Sequence, residues 1–461
     1  MAAMTLRSAI PAIAFPAVMS GRAAELVALL RQYDQSQYWT ADAMRQAQFA
    51  QVTALAEHAA RTVPFHAERL ARTGWKPGRA ITPQMWRRLP ILTRADVQQL
   101  GDKLHAAIVP PAFGPVSVVA SGVPVRVRKT ALDGVMWESV NLREECWHRE
   151  GAQGDIFRLR GIPDGLSPEQ AAAAKSPDGL TLPDWGRPAN LVWRTGRITI
   201  VDPRLPLARQ VALLAKLKPA WVQTFPSYLR LIIAHVRDTG ARVPRLRGVF
   251  TASEMVSQEL REDCAAVFGC RIIDNYTSGE TGYIALQCPE TDNLHIQSET
   301  ALVEVLREDG APCAPGEIGR VIVTPLHNFA MPLLRYAPGD EAEVASPCAC
   351  DRTLPALARV VGRSEDFLVL PDGSRRRADM SHYRLSVIPA VREFRLVQRS
   401  LHLLVLQLVV SRPLTDEEMA TVAQVMVRAV GDMFATEIEI VPALERTAVG
   451  KLRAFRSELP E

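Results

Sequence analysis

The chain has 461 residues, of which 48% are hydrophobic and 23% are charged, and its formal net charge is +4. This composition is typical of a soluble globular protein, and the length predicts two to four domains or subdomains. The small charge, without a run of five or six like charges, argues against a nucleic-acid partner, and the lack of an apolar run of 18 residues argues against a membrane-spanning helix.

The first part of the chain is predicted to be mainly helical. Residues 23–72 place apolar residues at positions i, i+3 and i+4, with a break at Pro64. Thr93 has the position and side chain of an N-cap for a further helix. The segments 114–120 and 124–130 are rich in β-branched residues and are predicted to form two strands.

The middle of the chain alternates between strand and helix patterns. One of its helices is predicted to begin with Ser227 as N-cap and to end at Gly240. The alternation predicts a parallel sheet covered by helices, whose ligands bind beyond the carboxyl ends of the strands. The segments concerned are, in order, "RITIV", "LARQVALLAKLKP", "AWVQTF", "SYLRLIIAHVRDTG", "LRGVFTA", "SQELREDCAAVFG" and "RIIDNY".

From about residue 296 the pattern becomes rich in hairpin turns, which predicts a β-barrel-like subdomain. Beyond Gly362 the pattern predicts a small α+β unit. We therefore expect an α/β protein with a large N-terminal domain over residues 1–362, in which parallel sheets are covered by helices and a β-barrel-like subdomain follows. A small, mobile α+β domain is expected over residues 363–461.

Four short motifs occur in a fixed order. They are "YTSGETG" at 276–282, "LLRYAPGDEAEV" at 333–344, "VGRSEDFLVL" at 361–370 and "ERTAVGKLRAF" at 445–455. Together they resemble the adenylate-forming (AMP-binding) superfamily, and the branch that they resemble is that of phenylacetate–CoA ligases and coenzyme F390 synthetase-like enzymes. The resemblance implies that a small-molecule carboxylic acid and ATP form an acyl-adenylate. The acyl group then passes to a thiol, of coenzyme A or a carrier protein, or to an amine.

The same resemblance implies Mg²⁺ as a cofactor, a homodimer as the family-level assembly, and roles for three residues. Lys451 matches the lysine that bridges the carboxylate and the α-phosphate, where two anions must be held together. Glu280 matches the magnesium-linked glutamate, and Asp340 matches the aspartate that accepts hydrogen bonds from both ribose hydroxyls. The alternatives are a surface lysine, a first-turn glutamate and an ordinary turn aspartate.

Further residues follow from the positions of the motifs. Arg363 matches a ribose-contacting arginine, Gly362 is the predicted hinge, and Glu365 stands where the family usually has its hinge aspartate. The remaining residues expected at the nucleotide are Ser253, Glu254, Asn275, Tyr276 and Thr277.

Four residues have the side chains of a structural zinc site. Cys288 precedes His295 by seven residues, and Cys348 and Cys350 form a Cys-x-Cys pair. Three thiolates and one imidazole make a closed tetrahedral Zn²⁺ set; the alternative is buried apolar cysteines with a surface histidine. The odd total of seven cysteines argues against a disulfide scaffold and indicates a reducing cytoplasm.

The predicted phosphate loop departs from the family pattern. After Ser121 and Gly122 come Val123 and Pro124, so the loop is three residues short of the resembled Ser-Gly-Thr-Thr-Gly-Lys-Pro, and Gly279 replaces a usual hydroxyl residue. Three hypotheses remain: an ATP-dependent ligase, an ATP-independent acyltransferase on the same fold, or a non-catalytic relative. An aryl or arylacetic acid is expected from the branch alone.

Overall fold

The computed structural model describes residues 6–11, 13, 15–121, 125–149, 152–163, 165–363, 367–377, 385, 388, 390–431, 433–447 and 452–459. The chain divides into two compact units, each described here by itself. The first comprises Met1–Gln153, Asp184–Gly196 and Asp274–Val361, and the second comprises Gly154–Pro183, Arg197–Ile273 and Gly362–Glu461. The boundary expected after residue 362 stays a prediction.

Helices are concentrated in the first 150 residues and in the central segment. Within the described residues the α-helices are α1 (Gly21–Ser36), α2 (Ala41–Thr62), α3 (Pro64–Ala71), α4 (Pro83–Arg88), α5 (Arg94–Leu100), α6 (Ala131–His148), α7 (Pro168–Ala174), α8 (Ala189–Val192), α9 (Leu207–Leu217), α10 (Pro226–Thr239), α11 (Gln258–Phe268) and α12 (Asp416–Val430).

Strands occur throughout the chain beyond α4. In the described residues they are β1 (Leu92–Thr93), β2 (Val116–Ser121), β3 (Val125–Thr130), β4 (Ile156–Leu159), β5 (Leu180–Leu182), β6 (Ile198–Ile200), β7 (Trp221–Thr224), β8 (Gly248–Phe250), β9 (Ile272–Ile273), β10 (Asn275–Ser278), β11 (Gly282–Gln287), β12 (Leu294–Ile296), β13 (Ala301–Leu306), β14 (Ile318–Pro325), β15 (Tyr336–Ala337), β16 (Asp340–Val344), β17 (Ala356–Arg363), β18 (Phe367–Val369), β19 (Arg375–Arg377), β20 (Val391–Gln398), β21 (Leu403–Val410), β22 (Ala435–Ile440) and β23 (Phe455–Ser457).

The first unit is built on a nine-stranded sheet with the order β1-β15-β14-β16-β17-β12-β11-β10, in which β13 also pairs with β14. Strands β10 and β16 are four positions apart, which would separate them by roughly 19 Å across a flat sheet. The Tyr276 hydroxyl on β10 nevertheless reaches the Asp340 carboxylate on β16 at 2.6 Å. The sheet must therefore curve strongly around the apolar core between these strands, as the predicted barrel-like pattern requires.

The second unit contains the predicted parallel sheet. Strands β6, β4, β7, β8 and β9 are parallel neighbours, and β5 adds an antiparallel edge to β6. Helices α9, α10 and α11 cover the sheet through a continuous apolar core that includes Leu229, Ile233 and Phe268. The α/β rhythm of the central sequence is therefore confirmed.

The C-terminal segment also forms the predicted α+β arrangement. Its four-stranded sheet has the order β22-β21-β20-β23. Helix α12 packs against this sheet with Val422, Met426 and Val430, which are fully buried and spaced four residues apart.

Two local predictions about helix ends have different outcomes. Thr93 is the N-cap of α5 and forms a capping box with Asp96, as expected. Ser227, in contrast, is not the N-cap of α10. The cap is Phe225 and Pro226 follows at the first helical position, because proline has no N–H to satisfy there and its fixed φ suits the first turn.

The segment "RIIDNY" was expected to form one strand but forms two, β9 and β10, in different sheets. Asp274 lies between them. Its N–H donates to Gln287 Oε1 at 2.9 Å, and its carbonyl accepts from the Gln287 N–H at 3.1 Å. These bonds bring the chain into register with β11, so the run leaves the parallel sheet after two residues.

None of the helices in the described part of the chain combines the length and apolar character needed to cross a bilayer.

The turn before Asp340 depends on a buried charge, and this gives a first testable prediction. Arg335 forms two 3.0 Å bonds with Glu304 and donates to the carbonyls of Arg87 and Leu89. Arg335→Met removes the charged partner of Glu304, a mostly buried carboxylate that would keep only the Trp86 N–H at 3.3 Å, so the free energy of unfolding should fall by about 3–5 kcal/mol in chemical denaturation.

The matched control is Arg359→Met, which breaks a half-exposed pair with Glu343 on the same sheet. Its cost should stay below about 1 kcal/mol. Equal costs for the two variants would contradict the role given to Arg335.

Candidate functional site

Two of the predicted nucleotide residues meet inside the curved sheet. The Tyr276 hydroxyl donates to Asp340 Oδ2 at 2.6 Å, and both side chains are buried. Asp340 is placed by the turn at Gly339, whose φ of 93° lies in the region that favours glycine. The motifs "YTSGETG" and "RYAPGD" therefore contribute to one place, as the resemblance requires.

Glu280 lies in the tight turn between β10 and β11 and is buried. Arg94, the first residue of α5, donates to Glu280 Oε1 at 2.8 Å. Tyr336 is close to this pair and to Asp340: its pKa is raised by burial, and by the negative charge of both Glu280 and Asp340. The carboxylates of Glu280 and Asp340 thus converge near one tyrosine ring.

Two further predicted nucleotide residues, Asn275 and Thr277, also lie on β10. The Asn275 side-chain amide donates to Glu144 Oε1 at 2.9 Å, so it faces helix α6. Thr277 follows a register shift in the pairing of β10 with β11 and is half-buried. Tyr276 is therefore hydrogen-bonded to another predicted nucleotide residue, Asp340, whereas Asn275 is hydrogen-bonded to Glu144, which was not predicted at the site.

A cavity of about 570 Å³ borders the Glu280 turn. Gly279, Thr281 and Gly282 form part of its wall, and the Trp137 and Tyr283 rings lie side by side there with centroids 4.5 Å apart. The remaining wall is largely apolar and is completed by the β2–β3 hairpin and the start of α6. The residues concerned include Val116, Val119, Ala131, Met136, Val140 and Pro325.

The β2–β3 hairpin carries the shortened phosphate loop. Backbone pairing continues to Ser121 opposite Val125, so three residues connect the strands. Gly122 and the side chain of Ser121, both predicted as a remnant of the loop, lie outside the described residues. The sequence, with three residues fewer than the resembled loop, leaves only positions 122–124 between the two strands.

The four predicted metal ligands come together at one end of the curved sheet. The donor atoms of Cys288, His295, Cys348 and Cys350 all lie within 4.8 Å of one another. The sulfurs of Cys288 and Cys348 are 3.8 Å apart, and His295 Nε2 is 3.2 Å from the Cys350 sulfur. Tetrahedral zinc with 2.3 Å bonds places two sulfurs about 3.8 Å apart, so the donor set fits this ion.

The protonation of His295 and Cys348 suits a metal, whereas burial raises the pKa of Cys350. His295 Nδ1 faces the Leu354 carbonyl at 3.0 Å, and since a carbonyl only accepts, Nδ1 carries the proton and Nε2 is left to bind. Burial lowers the pKa of His295, so the ring is neutral at pH 7. Burial alone would raise the pKa of Cys348, but hydrogen bonds, the largest from Thr291, outweigh it and lower this pKa.

The residues Ser253 and Glu254 lie in the second unit, beyond the carboxyl end of β8. Ser253 has a φ of 73°, a left-handed conformation that residues other than glycine rarely adopt. The Glu254 carboxylate accepts from the Ser227 N–H at 2.8 Å and from the Ser227 hydroxyl at 3.1 Å. It therefore satisfies the start of α10, where helix N–H groups lack partners.

Glu254 also holds the C-terminal segment of its own unit. Its Oε1 accepts from the Leu452 N–H at 2.9 Å, directly after Lys451 in the sequence. Arg446, which forms a β-bridge with Leu452, donates to the Ser227 hydroxyl at 2.8 Å and stacks 4.2 Å above the Tyr228 ring. We name these contacts the C-terminal anchor; no local pattern in the sequence predicts it.

Several predicted residues cannot be placed. Lys451 and Glu365 lie outside the described residues, as does the side chain of Arg363. Gly362 is described and has a φ of 129°, a conformation that side-chain-bearing residues rarely adopt. Its backbone is compatible with the predicted hinge.

No family model matches the chain. Among curated proteins it is similar to phenylacetate-coenzyme A ligases: 28% identical over 169 residues to that of Thermus thermophilus and 32% over 170 residues to that of Escherichia coli. Each alignment covers 35% of this chain and 38% of the relative. The enzyme of Pseudomonas putida is 23% identical over 343 residues, covering 71% of this chain and 72% of the relative.

Solved structures resemble the chain over a larger part of its length. A 2-hydroxyisobutyryl-CoA ligase in the postadenylation state matches with a TM-score of 0.67 at 16% identity, covering 92% of this chain and 93% of the other. The anthranilate CoA ligase AuaEII matches with a TM-score of 0.52 at 16% identity, covering 74% and 66%. At these identities the likeness concerns the fold.

The C-terminal anchor generates a testable prediction. A hydrogen bond to a charged group contributes about 1.5–3 kcal/mol, so Glu254→Ala should speed hydrogen exchange of the Leu452 amide at least about tenfold. Hydrogen-exchange mass spectrometry of the peptide containing Leu452 measures this. Glu262→Ala, an exposed change on α11, is the control and should leave the exchange rate unaltered.

Proposed function

This chain has the fold of the adenylate-forming CoA ligases and is a relative of the phenylacetate–coenzyme A ligases, and from this premise we propose that it is an ATP-dependent acid–thiol ligase. It would activate a carboxylic acid as an acyl-adenylate and transfer the acyl group to coenzyme A. The convergence of Glu280, Tyr276 and Asp340 inside the first unit carries this proposal. Glu280 and Tyr276 belong to the motif "YTSGETG", whereas Asp340 belongs to the separate motif "LLRYAPGDEAEV".

The nucleotide is proposed to bind at Asp340. A carboxylate accepts hydrogen bonds only, so it suits the two hydroxyls of a ribose. The Tyr276 hydroxyl already holds Oδ2 of this carboxylate in place. Arg363 would contact the same ribose, and Ser253, Glu254, Asn275 and Thr277 remain proposed neighbours of the nucleotide.

The acid is proposed to be activated between Lys451 and Glu280. Lys451 would neutralise the two anions that approach each other, the carboxylate and the α-phosphate. Glu280 would hold the Mg²⁺ ion, which screens phosphate charge when bound. Arg94 orients the Glu280 carboxylate by its 2.8 Å contact. Gly362 and Glu365 would act as the hinge of a mobile C-terminal domain.

We propose an aryl or arylacetic acid as the substrate. The cavity beside the Glu280 turn has a volume of about 570 Å³ and is walled by the Trp137 and Tyr283 rings. Adjacent aromatic rings favour a flat apolar ligand through offset or edge contacts. The cavity borders the turn at which the carboxylate would react. An acid with its aromatic ring in the cavity would therefore place its carboxylate at this turn.

Cys288, His295, Cys348 and Cys350 are proposed to hold a structural Zn²⁺ ion. All four ligand positions would be filled by protein atoms, which leaves no open position for catalysis. All seven cysteines are free of disulfides, and this favours a reducing compartment, the cytoplasm. A carrier protein as acceptor and a homodimer stay proposals based on the family alone.

One observation favours a second candidate function. Only three residues connect β2 to β3, where the resembled enzymes have a longer phosphate loop. An acyltransferase that uses a preformed thioester would not need this loop. Acyl transfer from an acyl-CoA to an acceptor without ATP would support this function, and acid-dependent formation of AMP would support the ligase.

The ligase proposal predicts two separable effects. With a panel of aryl acids, ATP, Mg²⁺ and coenzyme A, Lys451→Ala should lower acid-dependent AMP formation by at least about 100-fold, because one electrostatic contact in the transition state is lost. Asp340→Ala should chiefly raise the KM for ATP. Retention of full activity by Lys451→Ala would remove the central claim of the proposal.

The zinc proposal predicts one zinc per chain in freshly purified protein. Removal of the ion by a chelator, or Cys350→Ser, should lower the melting temperature, since a closed site contributes to folding. Elemental analysis and thermal unfolding measure these effects. Cys313→Ser, at a half-buried cysteine outside the cluster, is the control and should retain the metal; purified protein without zinc would exclude the site.

A further inference from the structure

Lys129 stands in an unusual position for a lysine. It lies on β3 opposite Ser117 of β2, and both residues line the cavity that borders the Glu280 turn. Arg126 on the same strand is exposed, whereas Lys129 is half-buried. The ammonium group is therefore directed to the cavity side of the hairpin.

The charge of Lys129 has no close partner in the described part of the chain. It forms neither a hydrogen bond nor an ion pair with any residue that the structure describes. Burial lowers its pKa, and the more distant charges of Asp133 and Glu280 only partly offset this effect. A lysine withdrawn from water without a partner costs free energy, which an anionic ligand in the cavity would recover.

The other charged groups of the cavity are already engaged. Asp133 accepts from the Thr130 N–H and hydroxyl at 2.8 and 2.9 Å in the capping box of α6. Arg22 lies 3.5 Å from Glu138. His327 lines the same wall and burial lowers its pKa to about 4, so it is neutral at pH 7. Among the described lining residues, Lys129 is thus the positively charged side chain that is available to pair with an anionic ligand.

We propose that Lys129 is a substrate-binding residue that holds the carboxylate of the acid in this cavity. The inference rests on the proposed function and adds a cation to the site that the sequence motifs did not supply. Lys129 lies near the Glu280 turn at which the acid would react, so a contact with the carboxylate would orient the acid there.

The test compares acids with their neutral amides in the absence of ATP. Benzoate and phenylacetate are titrated calorimetrically into the full chain beside benzamide and phenylacetamide. The wild type should bind at least one acid about tenfold more tightly than its amide. Lys129→Met should abolish this preference, Lys129→Arg should restore part of it, and Arg126→Met should leave it unchanged. Thermal unfolding checks that each variant is folded.

Two outcomes overturn the inference. One is a folded Lys129→Met variant that keeps the preference for the acid, and the other is a wild type that prefers none of the acids over its amide. The proposed function fails separately: a carboxylate preference that depends on Lys129, combined with no acid-dependent AMP formation by the wild type, would keep the binding site and refute the ligase. A raised KM for the acid in Lys129→Met, with a smaller change in kcat, would support both.

Discussion

The guanidinium group of Arg335 is buried and charged, so the surrounding turn is stable only where partners for this charge are in place. The Glu304 carboxylate on β13 neutralises the guanidinium charge, and the carbonyls of Arg87 and Leu89 accept further hydrogen bonds from it. Arg335 itself has a φ of 51°, a strained conformation that such a network can maintain. Five residues later the chain delivers Asp340 to the interior of the curved sheet, so the position of this carboxylate follows from a charge that had to be paired.

Other charged side chains are also paired by residues that are distant in sequence. Glu280 is paired by Arg94, 186 residues away, and Glu254 satisfies Ser227 at the start of α10 and the amide of Leu452. Each carboxylate joins an element that carries motif residues to one that does not. Within each unit, the predicted site residues are consequently supported by groups that would look like ordinary surface residues in the sequence.

Periodicity and capping signals predicted most elements, including the parallel sheet of the second unit, the capping box at Thr93 and the C-terminal α+β segment. The positions of three cysteines and one histidine also predicted the four metal-ligand candidates, which the structure brings together. The N-cap at Ser227 was wrong because Pro226 takes the first helical position, and the single strand through Asp274 was wrong because Asp274 pairs with the distant Gln287. The cavity at Lys129 could not be predicted, since it depends on how a hairpin, a helix and a turn pack in space.

The three-residue connection between β2 and β3 has a kinetic consequence for the proposed reaction. A hairpin this short offers few N–H groups to a departing pyrophosphate, so this product would leave quickly and rebind poorly. Acyl-adenylate formation would then be hard to reverse under ordinary conditions. Activation of the acid would then become irreversible at the first half-reaction, earlier than in an enzyme whose loop retains the pyrophosphate.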